Sequence, residues 1–93
     1  MQVKIKVRNT KQLGAASKLV RQSQSLDQET AGLLSGNGLT FMSQFENGKK
    51  TVEIGRVLNL FEQLGIEVEI NLPPNLPEKT IDKLKKLHNI DIG

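Results

Sequence analysis

The 93-residue chain lacks cysteine, tryptophan and tyrosine, and it has one histidine. Without thiols there is neither a disulfide framework nor a thiolate nucleophile, and His88 alone cannot build a zinc site. No metal and no cofactor is expected. The aromatic content is three phenylalanines, too few for the stacking platforms that hold single-stranded nucleic acid, so RNA and single-strand binding are disfavoured. No glycine-rich phosphate loop follows a strand pattern, and the carboxylates are scattered without metal-ligand spacing, so the chain reads as a non-enzyme. The N-terminus alternates charged and apolar residues instead of forming an apolar run of signal-peptide length, and no later stretch is long enough to span a bilayer. A cytoplasmic protein is the expectation.

The charge that is present lies unevenly. Residues 1–26 carry Lys4, Lys6, Arg8, Lys11, Lys18 and Arg21 with no acid, residues 27–72 carry three bases against seven acids, and the rest is nearly balanced. A basic face on a mildly acidic body suits nucleic acid, the plain alternative being a solvated surface. The length gives room for one domain whose core alone is small, which favours dimerisation.

Hydrophobic periodicity orders the chain. Val3, Ile5 and Val7 alternate with polar residues as a short half-buried strand. Asn9 or Thr10 can cap a first helix with Leu13, Ala16, Leu19 and Val20 as its stripe, leaving through Gln22 to Ser25. Asp27 suits the N-cap of a second helix, Gln28 to Ser35, which Gly36 ends in a left-handed conformation. A third helix over about Leu39 to Glu46 turns Met42 and Phe45 inward and stops at Asn47-Gly48. Thr51 is the expected cap of a fourth helix whose buried stripe is Ile54, Val57, Leu58, Phe61 and Leu64, with Gly65 as its C-cap. Ile66, Val68, Ile70 and Leu72 then alternate with polar residues as a second strand. Pro73, Pro74 and Pro77 make a stiff break, and a short basic helix runs from Pro77 to about His88 with Ile81, Leu84 and Leu87 as a narrow apolar stripe. The divisions expected are a helix-turn-helix and dimerisation domain over 1–72 and a C-terminal tail over 73–93.

Two short helices around a tight turn, propped by a longer one, are what a DNA-reading helix-turn-helix needs. Within that reading Thr40, Ser43 and Gln44 are candidates for base edges, Gln44 because a glutamine can bond adenine in a bidentate way. Gly38 and Leu39 open the third helix without charge, Leu39 offering apolar contact to a thymine methyl, and Lys49 and Lys50 are placed to approach phosphates. Gln28 can bond a phosphate or brace a reading side chain, or it is a solvated first-turn residue. The pair Leu33-Leu34 marks either a contact surface or a repacked core, with Gly32 loosening or shifting the second helix.

From Leu13 to Leu72 the chain resembles the HipB-type antitoxins, a branch of the lambda-repressor-like helix-turn-helix regulators. The resemblance is carried by Leu19-Val20-Arg21-Gln22, Leu26, Gln28, Gly36, the run Phe41-Met42-Ser43-Gln44-Phe45-Glu46-Asn47-Gly48-Lys49, Leu58 and Leu64-Gly65-Ile66-Glu67. It implies a mainly α fold, a four-helix lambda-repressor-like bundle with short N- and C-terminal β-strands pairing in a dimer, followed by a short C-terminal helix. It also implies an ion pair between Arg21 and Glu46, and pairing of the strand Ile66, Val68, Ile70 and Leu72 with its copy across a two-fold axis. The partners implied are double-stranded operator DNA, a second copy of the chain and a HipA-like serine/threonine kinase toxin. The tail, with Ile81, Leu84, Leu87, Ile90 and Ile92, is the candidate toxin-binding element, or it packs on its own dimer. The function implied is an antitoxin of a type II toxin-antitoxin system that represses its own operon. An autonomous repressor without a toxin shares the same reading head, and a protein-interaction module that has lost specific DNA reading is a third possibility.

Overall fold

The computed structural model describes residues 1–87, so His88, Ile90 and Ile92 lie outside the described residues. Its helices are α1 (Thr10–Ser23), α2 (Gln28–Leu34), α3 (Leu39–Glu46), α4 (Ile54–Leu64) and α5 (Glu78–Leu87). The first four pack on one another, α3 lying against both α1 and α2 while α4 closes the bundle. The ends depart from this body: the radius of gyration is 15.5 Å, against about 12 Å for a compact domain of this length.

Helix ends follow local chemistry. The Asn9 side chain accepts from the Gln12 amide and the Asp27 side chain from the Thr30 amide, each satisfying an orphan N–H of a first turn. Gly36, Gly48 and Gly65 take positive φ beyond α2, α3 and α4, the conformation that turns the chain out of a helix at least cost in glycine. The helix α1 runs through Gln22 and Ser23, a little further than expected, and α4 begins at Ile54 instead of after Thr51. Val52 is packed against the core in the segment before the helix, and the N-cap Glu53 makes no side-chain capping bond.

The core is Ala31, Met42, Phe45, Val57, Leu60, Phe61 and Leu64. Phe45 is its joint, stacked on Phe41 with ring centroids 5.8 Å apart and tilted against Phe61 at 6.0 Å; aromatic pairs in these geometries add about 0.5–1.5 kcal/mol each beyond area burial. The expected stripes are partly rotated. Leu19 is exposed, and the face of α1 that is buried consists of Gly14, Ser17 and Arg21. Ile54 and Leu58 are exposed on α4 while Leu60 is fully buried. The reason for the first shift is close approach: a Cβ on Gly14 would stand 2.1 Å from the Phe45 carbonyl oxygen. Small residues let α1 and α3 touch, and hydrophobicity does not mark them.

Gly32 does not loosen α2. A Cβ there would lie 2.7 Å from the Asn37 carbonyl oxygen, so the glycine lets the turn fold against the helix, and the Asn37 amide donates to the Gly32 carbonyl at 2.7 Å. Leu33 and Leu34 both remain exposed, so the core takes up neither of them.

The expected strands are a further difference. Residues 1–8 and 66–72 form no strand among the described residues, although Lys4 Nζ lies 3.8 Å from Glu69 Oε2 and brings the two segments together. Alternation marks a face that can be half-buried, but a strand also needs a neighbour for its N–H and C=O groups. Val3, Ile5, Val7, Val68, Ile70 and Leu72 are correspondingly exposed in the single chain.

Overpacking the α1–α3 contact with Gly14→Ala should lower the unfolding free energy by about 1–3 kcal/mol. Gly55→Ala, where a Cβ meets nothing within 4 Å, should be neutral or stabilising by up to about 1 kcal/mol. Urea unfolding of the two variants at equal concentration checks the contrast.

Candidate nucleic-acid interface

The reading surface is held from behind by a buried ionic network. Arg21, on the inner face of α1, donates from Nε to Glu46 Oε2 at 2.6 Å and from Nη2 to Glu46 Oε1 at 2.9 Å, a two-point grip on the last residue of α3. Its Nη1 donates to the Leu26 carbonyl at 2.7 Å, which fixes the loop into α2. Gln28 Nε2 donates to Glu46 Oε1 at 2.9 Å. The Arg21 and Glu46 side chains are 7% and 2% exposed, and planar guanidinium against carboxylate is the geometry that tolerates such burial.

These contacts move both charges in the direction that keeps them ionised. The hydrogen bond to Glu46 raises Arg21 further above its ordinary range despite burial. Burial alone would raise Glu46, but the hydrogen bonds from Arg21 and Gln28, helped by the positive charges of Arg21 and Lys18, outweigh it and hold the carboxyl below its usual 4.5. Asp27 is also lowered, by its hydrogen bonds from the Thr30 backbone and then side chain.

Gln28 therefore has a definite post: it braces Glu46 across the α2–α3 angle and is not a freely solvated residue. The start of α2 already carries an anion of its own, the Asp27 carboxylate on the Thr30 amide at 2.7 Å. The start of α3 is different, because Gly38 supplies no side-chain cap and leaves the first amides open to a phosphate or another acceptor. Thr40, Gln44, Lys49 and Lys50 are exposed on or just beyond α3, Ser43 is half-buried, and Leu39 is 55% exposed at the helix's first position. Leu33 and Leu39 line a shallow groove together with Glu29, Asn37 and Gly38. Gln44 and Lys49 are joined, Lys49 Nζ donating to Gln44 Oε1 at 3.3 Å.

Three positions that set this geometry carry no hydrophobic signal. Asn37, buried in the α2–α3 turn, donates from Nδ2 to Ser35 Oγ at 3.0 Å and to the Arg56 carbonyl at 3.1 Å, which pins the turn to α4. Thr10 donates to the Gly48 carbonyl at 2.8 Å and ties the start of α1 to the end of α3. Gln24 donates to the Leu64 carbonyl at 2.8 Å and caps α4. Asn and Thr in turns are ordinary enough that only the fold reveals their partners.

A short α2, a turn pinned at Asn37 and an α3 with a polar outer face define a helix-turn-helix module. The chain belongs to the HTH-type transcriptional regulators. An uncharacterized HTH-type transcriptional regulator of Sinorhizobium fredii, y4mF, is 34% identical to it over 68 residues, spanning 73% of this chain and 90% of that protein. Among solved structures, HipB in a complex with HipA, O2 and O3 matches with a TM-score of 0.68 at 24% identity, over 73% of this chain and 96% of that one. HipB in a complex with O1 and O2 matches at 0.67 and 24% identity, over 73% and 99%. No protein-family model matches the chain. Among the described residues no helix is long and apolar enough to cross a membrane, and no cluster of three metal-ligating side chains occurs.

Removing one partner of the buried pair leaves the other charge uncompensated. Glu46→Ala should cost about 3–5 kcal/mol of unfolding free energy. The wild-type contribution has a definite sign with pH. Because the folded carboxyl lies below 4.5, the stabilisation is complete above that value and is lost as pH falls from 4.5 through the folded pKa. Denaturant unfolding at pH 7 and pH 3 should show the gap between wild type and Glu46→Ala narrowing at the lower pH.

Proposed function

We propose that this regulator is the DNA-binding antitoxin of a type II toxin-antitoxin system, a homodimer in the cytoplasm that represses its own operon and binds a HipA-like serine/threonine kinase. The observation that carries the reading is the fold shared with HipB, which is solved with HipA, O2 and O3. The open start of α3 and the exposed Thr40, Gln44, Lys49 and Lys50 give that fold a surface for operator DNA, with Gly38, Leu39 and Ser43 completing it and Gln28 supporting it from behind.

The dimer is supported by apolar surface that a single chain leaves uncovered. Ile54 and Leu58 on α4 and Val68, Ile70 and Leu72 after it are exposed, and Ile66 begins the run half-buried. A second copy placing the same segment alongside would supply the missing strand partner and present two α3 helices about 34 Å apart, or a multiple of that, on an inverted repeat. In this reading residues 1–72 read DNA and dimerise while residues 73–93 contact the kinase. Helix α5 buries none of its residues, with Ile81 and Leu87 exposed and Leu84 half-buried; Ile90 and Ile92 of the same proposal lie outside the described residues.

An affinity-tagged chain expressed from its native locus, purified at moderate salt, should bring down a kinase-like protein in stoichiometric amount. A chain ending at Leu72 should lose at least about tenfold in affinity for that protein while keeping its affinity for DNA. Recovery of the regulator with DNA and no kinase would instead establish an autonomous repressor.

A further inference from the structure

The end of α3 does more than stop the helix. Gly48 takes φ +88, its amide closes on the Phe45 carbonyl at 2.9 Å, and the chain folds back so that the Lys49 amide donates to the Gln44 carbonyl at 3.0 Å. The same lysine's Nζ donates to the Gln44 side-chain oxygen at 3.3 Å. Lys49 is thus attached to one residue twice, by backbone and by side chain, and both residues are exposed on the reading surface. The turn has little freedom to move, since a Cβ on Gly48 would stand 2.7 Å from the Lys11 Cα.

This arrangement decides which end of the Gln44 amide is free. Its oxygen is turned to the ammonium group, which uses one of its two lone pairs and sets a cation beside the other, so Nε2 with two N–H donors is the end presented to a ligand, and the ammonium keeps further N–H donors beside it. The pair therefore offers donors side by side. In the major groove guanine presents two acceptors, N7 and O6, whereas adenine presents one acceptor and the N6 amino donor. A free glutamine would match adenine, but a glutamine held by a lysine matches guanine and sets donor against donor at adenine N6.

We propose that Lys49 is a specificity-determining residue that orients Gln44 to read a guanine edge in the operator. The inference rests on the DNA-reading assignment above, and it replaces the adenine pairing that the Gln44 side chain alone suggests.

The test selects duplexes from a random 20-base-pair pool with the full chain, as wild type, Lys49→Met, Gln44→Ala and the double variant, all checked for equal thermal unfolding. The base addressed by Gln44 is the one whose preference disappears in Gln44→Ala. At that base the wild type should favour guanine over adenine at least about fivefold. Lys49→Met should level or reverse the preference there and nowhere else, and in the Gln44→Ala background it should leave base preference unchanged. A uniform loss of affinity for all duplexes with the preference intact would make Lys49 a phosphate contact and overturn the proposal. Failure of the wild type to enrich any duplex would overturn the DNA-reading assignment itself, and this inference with it.

Discussion

The fold turns on a charge that has been taken out of water. Arg21 sits on the packed face of α1, where an isolated guanidinium would be strongly disfavoured, and it is tolerated because all three of its nitrogens find acceptors, the two Glu46 oxygens and the Leu26 carbonyl. Those acceptors come from two separate parts of the helix-turn-helix, and Gln28 adds a third contact. Glu46 is the end of α3, Leu26 is the loop into α2, and Gln28 joins α2 to the same carboxylate. Satisfying one buried cation thus sets the angle between the helices, and the outward face of α3 inherits that orientation. A buried pair of this kind gains little net stability over apolar packing, but breaking it leaves an uncompensated charge, so the arrangement it holds is hard to change.

Packing around the pair follows from size. Gly14 lets α1 touch the backbone of α3 at Phe45, Gly32 lets the Asn37 turn fold onto α2, and Phe45 then fills the space between Phe41 and Phe61. Asn37 carries the same rigidity to α4 through the Arg56 carbonyl. The exposed remainder is of two kinds. Polar and basic side chains predominate on the outer face of α3, with Leu39 exposed at its start and Leu33 and Leu34 on α2, while further apolar ones lie along the N-terminal segment, α4, the segment after it and α5. The first kind suits a charged duplex and the second suits protein, so DNA and the proposed protein partners would occupy different surfaces.

Much of the helical body was legible in the sequence because its ends are chemically marked. Asp27, the stop at Asn47-Gly48 and Gly65 fix the limits of α2, α3 and α4 by local hydrogen bonding and backbone freedom, and α3 falls at its expected residues. The interior of α1 was not legible, since its buried face is made of Gly14, Ser17 and Arg21, which an apolar stripe cannot reveal. On α4 there are more apolar residues than one face can bury, so Ile54 and Leu58 joined the expected stripe and Leu60 was left out of it. The two alternating segments read as strands in the sequence, but alternation marks only a face that can be half-buried, and neither segment pairs as a strand among the described residues. At the reading surface the residue types were visible, but the Lys49 contact that changes what Gln44 can accept depends on the turn at Gly48.

In the proposed function α3, held by the Arg21–Glu46 pair, reads a defined DNA sequence from a dimer. Hydroxyl-radical footprinting on the DNA upstream of the chain's own coding sequence tests it most directly. Two protected patches related by two-fold symmetry are expected, their centres about 34 Å or a multiple of that apart along the duplex, with no matching pattern on a scrambled sequence. Absence of protection at concentrations that saturate non-specific binding, or the same diffuse protection on both sequences, would contradict it.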